Sequence, residues 1–199
     1  MSGAFPISNA KFSTMGIKSN QTTIISKSTS GKKLARQIDN QRFGFSVRVI
    51  TGKRSDVYGE LMGFIVKQRS GKENFTIIPP EISDARGTAS GTPNGTASLG
   101  GTSITIAGTG SGTLKAGDFI KFANHDKVYM VVADASDIST GTITIEPPLT
   151  TAVSSSDITY DSVPFTVHLT NDMQEFGAVG SDKDGNLLYQ FEFDVEEAL

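Results

Sequence analysis

A glycine-rich segment, Gly108–Gly112 (GTGSG), is the first place where residue types and spacing could do chemistry. Loops of this kind bind phosphate when a glycine, four further residues and Gly-Lys-Ser/Thr lead into a helix. Here Lys115 is followed by Ala116-Gly117-Asp118 and a predicted strand, so both the spacing and the context differ. We therefore predict a flexible turn rather than a nucleotide site.

A second candidate, Asp182–Asn186 (DKDGN), resembles the start of a calcium-binding loop. An EF-hand loop needs glycine at its sixth position and glutamate at its twelfth, whereas Gly185 is the fourth residue of this segment. The segment is better interpreted as a hairpin turn, with Asp184-Gly185 at its tip.

Catalytic groups are scarce in the chain. It contains no cysteine and two histidines, His125 and His168. The spacing identifies no nucleophile and no oriented acid partner for either histidine. We therefore predict a protein that is not an enzyme, with no catalytic residue, no cofactor and no metal ligand.

Basic and acidic residues are segregated along the chain. Residues 1–54 contain ten bases and one acid, whereas residues 165–199 contain one base and eight acids. Three interpretations are open: the two ends pair across strands of one sheet, a basic face meets the acidic face of the next copy in a ring, or both faces are solvated. The interface residues that charge and position predict are Arg36, Arg42, Arg48, Glu192 and Asp194.

The overall composition narrows the class of protein further. A net charge of −3 over 199 residues excludes a protein that acts through bulk basicity. The bases are accompanied by no recognition helix or aromatic platform, so we predict no specific nucleic-acid partner. The N-terminus lacks the pattern of a signal peptide, and no run approaches the roughly 18 apolar residues of a membrane helix. We expect synthesis in a cytoplasm and no membrane insertion.

Alternating hydrophobicity predicts most of the elements. Arg42–Ile50 and Leu187–Val195 both alternate with a period of two, which is typical of strands with one buried face. Ser55–Gln68 has apolar residues at helical spacing, with Ser55 as a possible N-cap and Gly71 as the residue that closes the helix.

The composition changes to Gly, Thr, Ser and Ala from Arg86 onwards, and short strands separated by turn residues follow. We predict a mainly β protein, a split β-barrel or sandwich with one helix and an inserted small β-barrel-like module. The predicted domains are a discontinuous core formed by residues 1–85 and 164–199, and an inserted β domain formed by residues 86–163.

Several short motifs extend this prediction. They are Gln41-Arg42-Phe43, Arg69-Ser70-Gly71, Gly91–Gly95, Gly100-Gly101-Thr102, Leu114–Ile120, Lys127–Val131, Asp134-Ala135, Gly141–Ile145 and Pro147-Pro148-Leu149. Across residues 17–149 the chain resembles the distal tail proteins of tailed phages.

The resemblance implies a split β-barrel with a helix on one side, assembled as a ring, usually of six copies. It also implies a structural virion protein, made in the host cytoplasm and located at the distal end of the tail. There the protein would join the tail tube to the baseplate or tail tip. Its partners would be further copies of itself, the tail tube protein, and baseplate hub or tail-tip proteins.

Two alternatives to the adaptor ring are open. Residues 86–163 could form a receptor- or carbohydrate-binding module, for which the available aromatic residues are Phe119, Phe122, Tyr129 and Tyr160. A tail-tube or head–tail connector protein would also form rings, and it fits the pattern of residues 86–149 less well.

Overall fold

The structure is a computed structural model that describes residues 3–6, 12–37 and 41–199. Lys11 and Asp39, which contribute to the charge segregation, lie outside the described residues. Of these described residues, 47% are in strands and 9% are helical, which confirms the predicted mainly β fold. The strands in the described ranges are β1 (Phe12–Asn20), β2 (Thr23–Lys27), β3 (Lys33–Gln37), β4 (Arg42–Val49), β5 (Gly52–Lys53), β6 (Phe75–Ile77), β7 (Pro93–Ala97), β8 (Ser103–Gly108), β9 (Phe119–Phe122), β10 (Val128–Val131), β11 (Gly141–Glu146), β12 (Val153–Thr159), β13 (Phe165–Leu169), β14 (Gly177–Ser181), β15 (Leu187–Gln190) and β16 (Glu192–Glu197).

The predicted helix is present with different ends. A π-helical turn, Arg54–Tyr58, leads into α1 (Gly59–Lys67), and a short 3-10 helix, Ser70–Lys72, follows. The prediction that Ser55 caps the helix is wrong, because Ser55 lies inside the π-helical turn. Closure by Gly71 is also wrong, since the chain already turns at Arg69 and Ser70, whose φ angles are 52° and 60°.

A five-stranded antiparallel sheet, in the order β1-β4-β16-β13-β6, combines strands from both ends of the chain. One face of β4 is buried as its alternation predicts, with Phe43, Phe45 and Val47 at 0–1% exposure. Leu61 and Ile65 of α1 pack into the same hydrophobic core. The helix therefore covers this face of the sheet with its apolar side.

The middle of the chain forms a closed barrel in which the strands run in the order β10-β11-β8-β7-β12-β9. Its interior is filled by aliphatic and aromatic side chains such as Ile104, Phe122 and Ile145. Along β10, Tyr129 and Val131 face this interior, whereas Val128 and Met130 pack against the core of the five-stranded sheet. The strand is buried on both sides because the barrel wall rests on the sheet, and this explains why the sequence VYMV is continuously apolar.

A three-stranded sheet, β14-β15-β5, lies beside the main sheet. The alternating segment Leu187–Val195 is divided between two sheets, since β15 ends at Gln190 and β16 begins at Glu192. Phe191, between them, is fully buried, and its carbonyl accepts a bond from the Val49 amide at 2.9 Å. The alternation predicts one buried face along the whole segment, but Leu187 is 54% exposed because β15 extends away from the main core.

Strands β2 and β3 form a two-stranded hairpin inserted between β1 and β4. The turn between the two strands is closed by bonds from the Gly31 and Ser28 amides. All ten strand residues of the hairpin are exposed. We call this segment, residues 23–37, the arm.

Candidate functional site

Charged side chains from both ends of the chain meet on the exposed face of the five-stranded sheet. The register of β4 and β16 places Arg48 opposite Glu192 and Ser46 opposite Asp194. Arg48 Nη2 donates to Glu192 Oε2 at 2.6 Å. Lys18 Nζ, on β1, donates to Asp194 Oδ1 at 3.0 Å. The basic and acidic ends of the chain therefore pair within one subunit.

These pairs contribute more to register than to stability. The Arg48 and Glu192 side chains are 44% and 57% exposed, and exposed pairs contribute about 0–1 kcal/mol each. Asp194 also accepts a bond from the Ser46 hydroxyl. The Ser46 bond and then the Lys18 charge hold the pKa of Asp194 below its ordinary value. A one-residue slip of β16 would separate all of these partners.

The structure brings together three of the five predicted interface residues. Arg48, Glu192 and Asp194 lie on the face just described. Arg42 is half-buried at the start of β4, and Arg36 lies on the arm opposite Ile24. That these five residues contact another copy stays a prediction.

The arm has apolar side chains on both of its faces. The register places Ile24 and Leu34 on one face and Ile25 and Ala35 on the other. Ile24, Ile25 and Leu34 are 58%, 55% and 52% exposed. An isolated two-stranded hairpin is marginal in water, so this composition favours an arm covered by a partner on both sides. The sequence analysis missed this feature, although apolar and basic residues mixed on both sides of Gly31 were a signal for it.

Strands β14 and β15, with the preceding residues 171–176, form a negatively charged surface, in contrast to the basic arm. We call this surface the acidic sheet. Residues 171–187 contain four acids and one base. Val179 and Leu187 are 57% and 54% exposed on this surface. A cleft of about 250 Å³ beside Val179 is lined by Glu175, Gly177, Gln190 and Glu192.

A buried ion pair joins the barrel to the main sheet. Lys127, which precedes β10, donates from Nζ to Glu197 Oε2 on β16, and both side chains are at most 1% exposed. The same carboxylate accepts bonds from the Val128 amide at 2.8 Å and the Phe43 amide at 3.3 Å. Lys127 Nζ also lies 4.9 Å from the centroid of the Phe43 ring.

The surroundings of Lys127 lower the pKa of its ammonium group. Burial lowers its pKa, and the neighbouring charge of Arg42 acts in the same direction, whereas Glu197 opposes both. No local pattern in the sequence identifies this pair, because its members are 70 residues apart.

The two histidines lie in different parts of the molecule. His125 Nε2 and the Tyr129 hydroxyl are 2.8 Å apart, and Nδ1 lies 2.8 Å from Asn124 Oδ1. Burial and then the charge of Lys121 lower the pKa of His125, so its ring is neutral near pH 7. His168 is half-buried on β13. Both nitrogens of the His125 ring thus have partners in and beside the turn between β9 and β10, which indicates a structural role.

In the segment that resembles a calcium-binding loop, Asp182–Asn186, the Asp182 carboxylate is bonded to groups of the protein itself. The Asp182 carboxylate accepts bonds from the amides of Asp184 and Asn186, both at 2.9 Å, and pairs with Lys53. The predicted hairpin turn is therefore confirmed. Within residues 3–6, 12–37 and 41–199, no group of three or more His, Cys, Asp or Glu residues could hold a metal ion.

The glycine-rich segment packs closely against another part of the backbone. Ser90 and Ser111 exchange two backbone hydrogen bonds of 2.9 Å. Gly112 has a φ of +87°, and a Cβ there would lie 2.1 Å from the Thr88 carbonyl oxygen. Glycine is required at this position by the close approach of the two segments, as part of the barrel's structure.

The four aromatic residues of the predicted inserted module are all buried. Phe119, Phe122, Tyr129 and Tyr160 are 0–6% exposed. None of them forms an exposed stacking platform of the kind that carbohydrate sites use.

A barrel resting on a charged sheet, with an exposed arm and an exposed acidic sheet, defines the class of a mainly β protein. The part of the chain that the structure describes contains no helix long and apolar enough to cross a membrane.

The comparison with protein families agrees with this class. Residues 82–161 match the family model described as "Distal tail protein pb9, B domain". The matched region contains every strand of the barrel, and the match confirms the predicted resemblance to phage distal tail proteins. It supports a structural role in a phage tail and a location in the virion. No curated protein matches the chain.

Proposed function

We propose that the protein forms a ring at the distal end of a phage tail and joins the tail tube to the baseplate or tail tip. The observation that carries this proposal is the arm, which exposes three large aliphatic side chains and has apolar residues on both faces. Such a surface is stable in water when another protein covers it. The distal tail family match of the barrel supplies the context of a tail.

In this proposal residues 1–85 and 164–199 are the domain that builds the ring, usually of six copies in the family that the chain resembles. Residues 86–163 are a second domain, held on the first by the Lys127–Glu197 pair. Because this connection is buried and hydrogen-bonded, the barrel keeps one orientation relative to the ring. A fixed orientation is useful to an adaptor whose two sides bind different neighbours, the tube on one side and the baseplate hub or tail tip on the other.

The position is tested by labelling purified virions with an antibody against this protein and viewing them by electron microscopy. We expect label at the far end of the tail. Label along the tube or at the neck would instead support a tube or connector protein, and unlabelled virions would refute a structural role in the tail.

The ring itself is tested by native mass spectrometry of the purified protein and of an arm variant, Ile24→Ser with Leu34→Ser. We expect one closed oligomer for the wild type and monomers for the variant. Leu99→Ser is the matched control, since Leu99 is 68% exposed on the barrel, and this variant should still assemble. Unchanged assembly of the arm variant would refute the argument from the arm.

A further inference from the structure

We propose that the arm of one copy docks on the acidic sheet of a second copy, so that each subunit contacts the next in a head-to-tail interface. This inference rests on the proposed ring and names the two surfaces that close it.

The arm supplies a basic, aliphatic surface. Residues 21–37 contain four bases and no acid. Lys27 and Lys33 lie opposite one another at the end of the arm, next to its turn. Ile25 lies on the same face as these two lysines and is 55% exposed. The partner that fits this face combines apolar side chains with carboxylates.

The acidic sheet has this complementary composition. Val179 is 57% exposed, and the cleft beside it is lined by Glu175 and by Glu192, whose carboxylate also pairs with Arg48 of its own subunit. Met173, 83% exposed, and Leu187, 54% exposed, extend the apolar area. Opposite charges around an apolar centre favour association and fix its orientation.

The backbone of both surfaces is available for pairing. Among the described strands, β14 is the edge of its sheet, and β2 and β3 pair only with each other. An arm strand can thus add main-chain hydrogen bonds at this edge.

A second copy fits this contact, because the two surfaces adjoin opposite ends of the same strand. The arm leads into β4 at Arg42, whereas β4 ends at Val49, just before the β5 strand that pairs with the acidic sheet. At about 3.3 Å per residue, eight strand residues separate the two ends by about 25 Å. Two different surfaces in contact make a heterologous interface, which closes into a ring when the rotation permits.

Cross-linking tests this contact directly, because the natural chain has no cysteine. The Ile25→Cys and Val179→Cys variants are purified separately, mixed and oxidised, and the products are separated without reductant. We expect a covalent dimer to form at least about 10-fold faster than from Ile25→Cys mixed with the control Leu99→Cys, since docking raises the local concentration of the paired thiols. The double variant Ile25→Cys with Val179→Cys should give a ladder that ends at the number of subunits in the ring.

Charge reversal is a second test on the same contact. Lys33→Glu should weaken assembly at least about 10-fold, and adding Glu175→Lys to the same chain should restore it, because the pair is then present with exchanged signs. Circular dichroism confirms that each exposed substitution leaves the fold intact.

The outcomes separate this inference from the proposed ring. If native mass spectrometry shows a ring but the Ile25–Val179 pair cross-links no faster than the control pair, the docking site is wrong and the ring stands. If the wild type stays monomeric at all concentrations and mixed variants give no dimer, both proposals are refuted.

Discussion

Lys127→Met is the substitution that tests most directly how the barrel is held on the sheet. Methionine has a similar length and is apolar, so it fills the space without the charge. The substitution leaves the Glu197 carboxylate fully buried, with the Val128 and Phe43 amides as its hydrogen-bond donors. The favourable contact of the Lys127 ammonium with the Phe43 ring is lost at the same time.

The expected cost follows from this burial. Removing one partner of a buried ion pair costs about 3–5 kcal/mol, because the remaining buried charge loses that partner. In a protein of about 200 residues, each kcal/mol lowers Tm by about 2–4 °C, so Tm should fall by about 6–20 °C. Adding Glu197→Gln to the Lys127→Met chain removes the buried charge and keeps an oxygen acceptor for an amide, so part of the loss should be recovered.

Thermal unfolding followed by calorimetry and circular dichroism measures these differences. Lys115→Met is the matched control, since Lys115 pairs with Asp134 at 2.9 Å while both side chains are about half exposed. Removing that exposed pair should change Tm only slightly. If Lys127→Met lowers Tm no more than Lys115→Met, the buried pair does not hold the barrel on the sheet and this reasoning is wrong.

Three further predictions concern the helix, the barrel and the charged sheet. Gly63→Ala should stabilise the isolated subunit by about 0.5–1 kcal/mol, because a Cβ there meets nothing within 4 Å and glycine is unfavourable in helices; a lower Tm would contradict this. Since the pKa of His125 is lowered, its neutral form stabilises the fold above the ordinary value of 6.5, and this contribution is lost as the pH falls below that value. The Tm of the wild type should therefore fall more steeply from about pH 7 to about pH 5 than that of His125→Gln, and equal slopes would refute it. The lowered pKa of Asp194 stabilises the fold above 3.8 and is lost as the pH falls through the lowered value, so acid titration of unfolding should be shallower for Asp194→Asn than for the wild type.

Local patterns in the sequence were sufficient to predict much of the fold. The alternation of Arg42–Ile50 predicts β4, since a period of two leaves one face of a strand apolar. The Asp184-Gly185 turn is also local, because residues within five positions supply its hydrogen bonds. The helix was predicted with the wrong ends, since a π-helical turn and two residues with positive φ depend on how the neighbouring segments pack.

The charge segregation left three interpretations open, and the strand order supports pairing within one subunit for Arg48 and Glu192. The pairing of Arg48 with Glu192 requires β4 and β16 to be neighbours, although their residues are 144 positions apart. Sequence alone does not specify which strands become neighbours when many short strands compete for pairing.

The sequence by itself determined the class of the protein: a mainly β chain without cysteine, with opposite charges at its two ends and motifs in its middle that resemble those of phage distal tail proteins. These properties depend on composition or on residues that are close together in the sequence, so they can be read without knowing which distant segments pack together. The tertiary structure alone decided which surfaces remain exposed and which charges are buried. Lys127 and Glu197 become a buried pair, and Ile24, Ile25 and Leu34 remain exposed, because burial depends on contacts between segments that are distant in sequence.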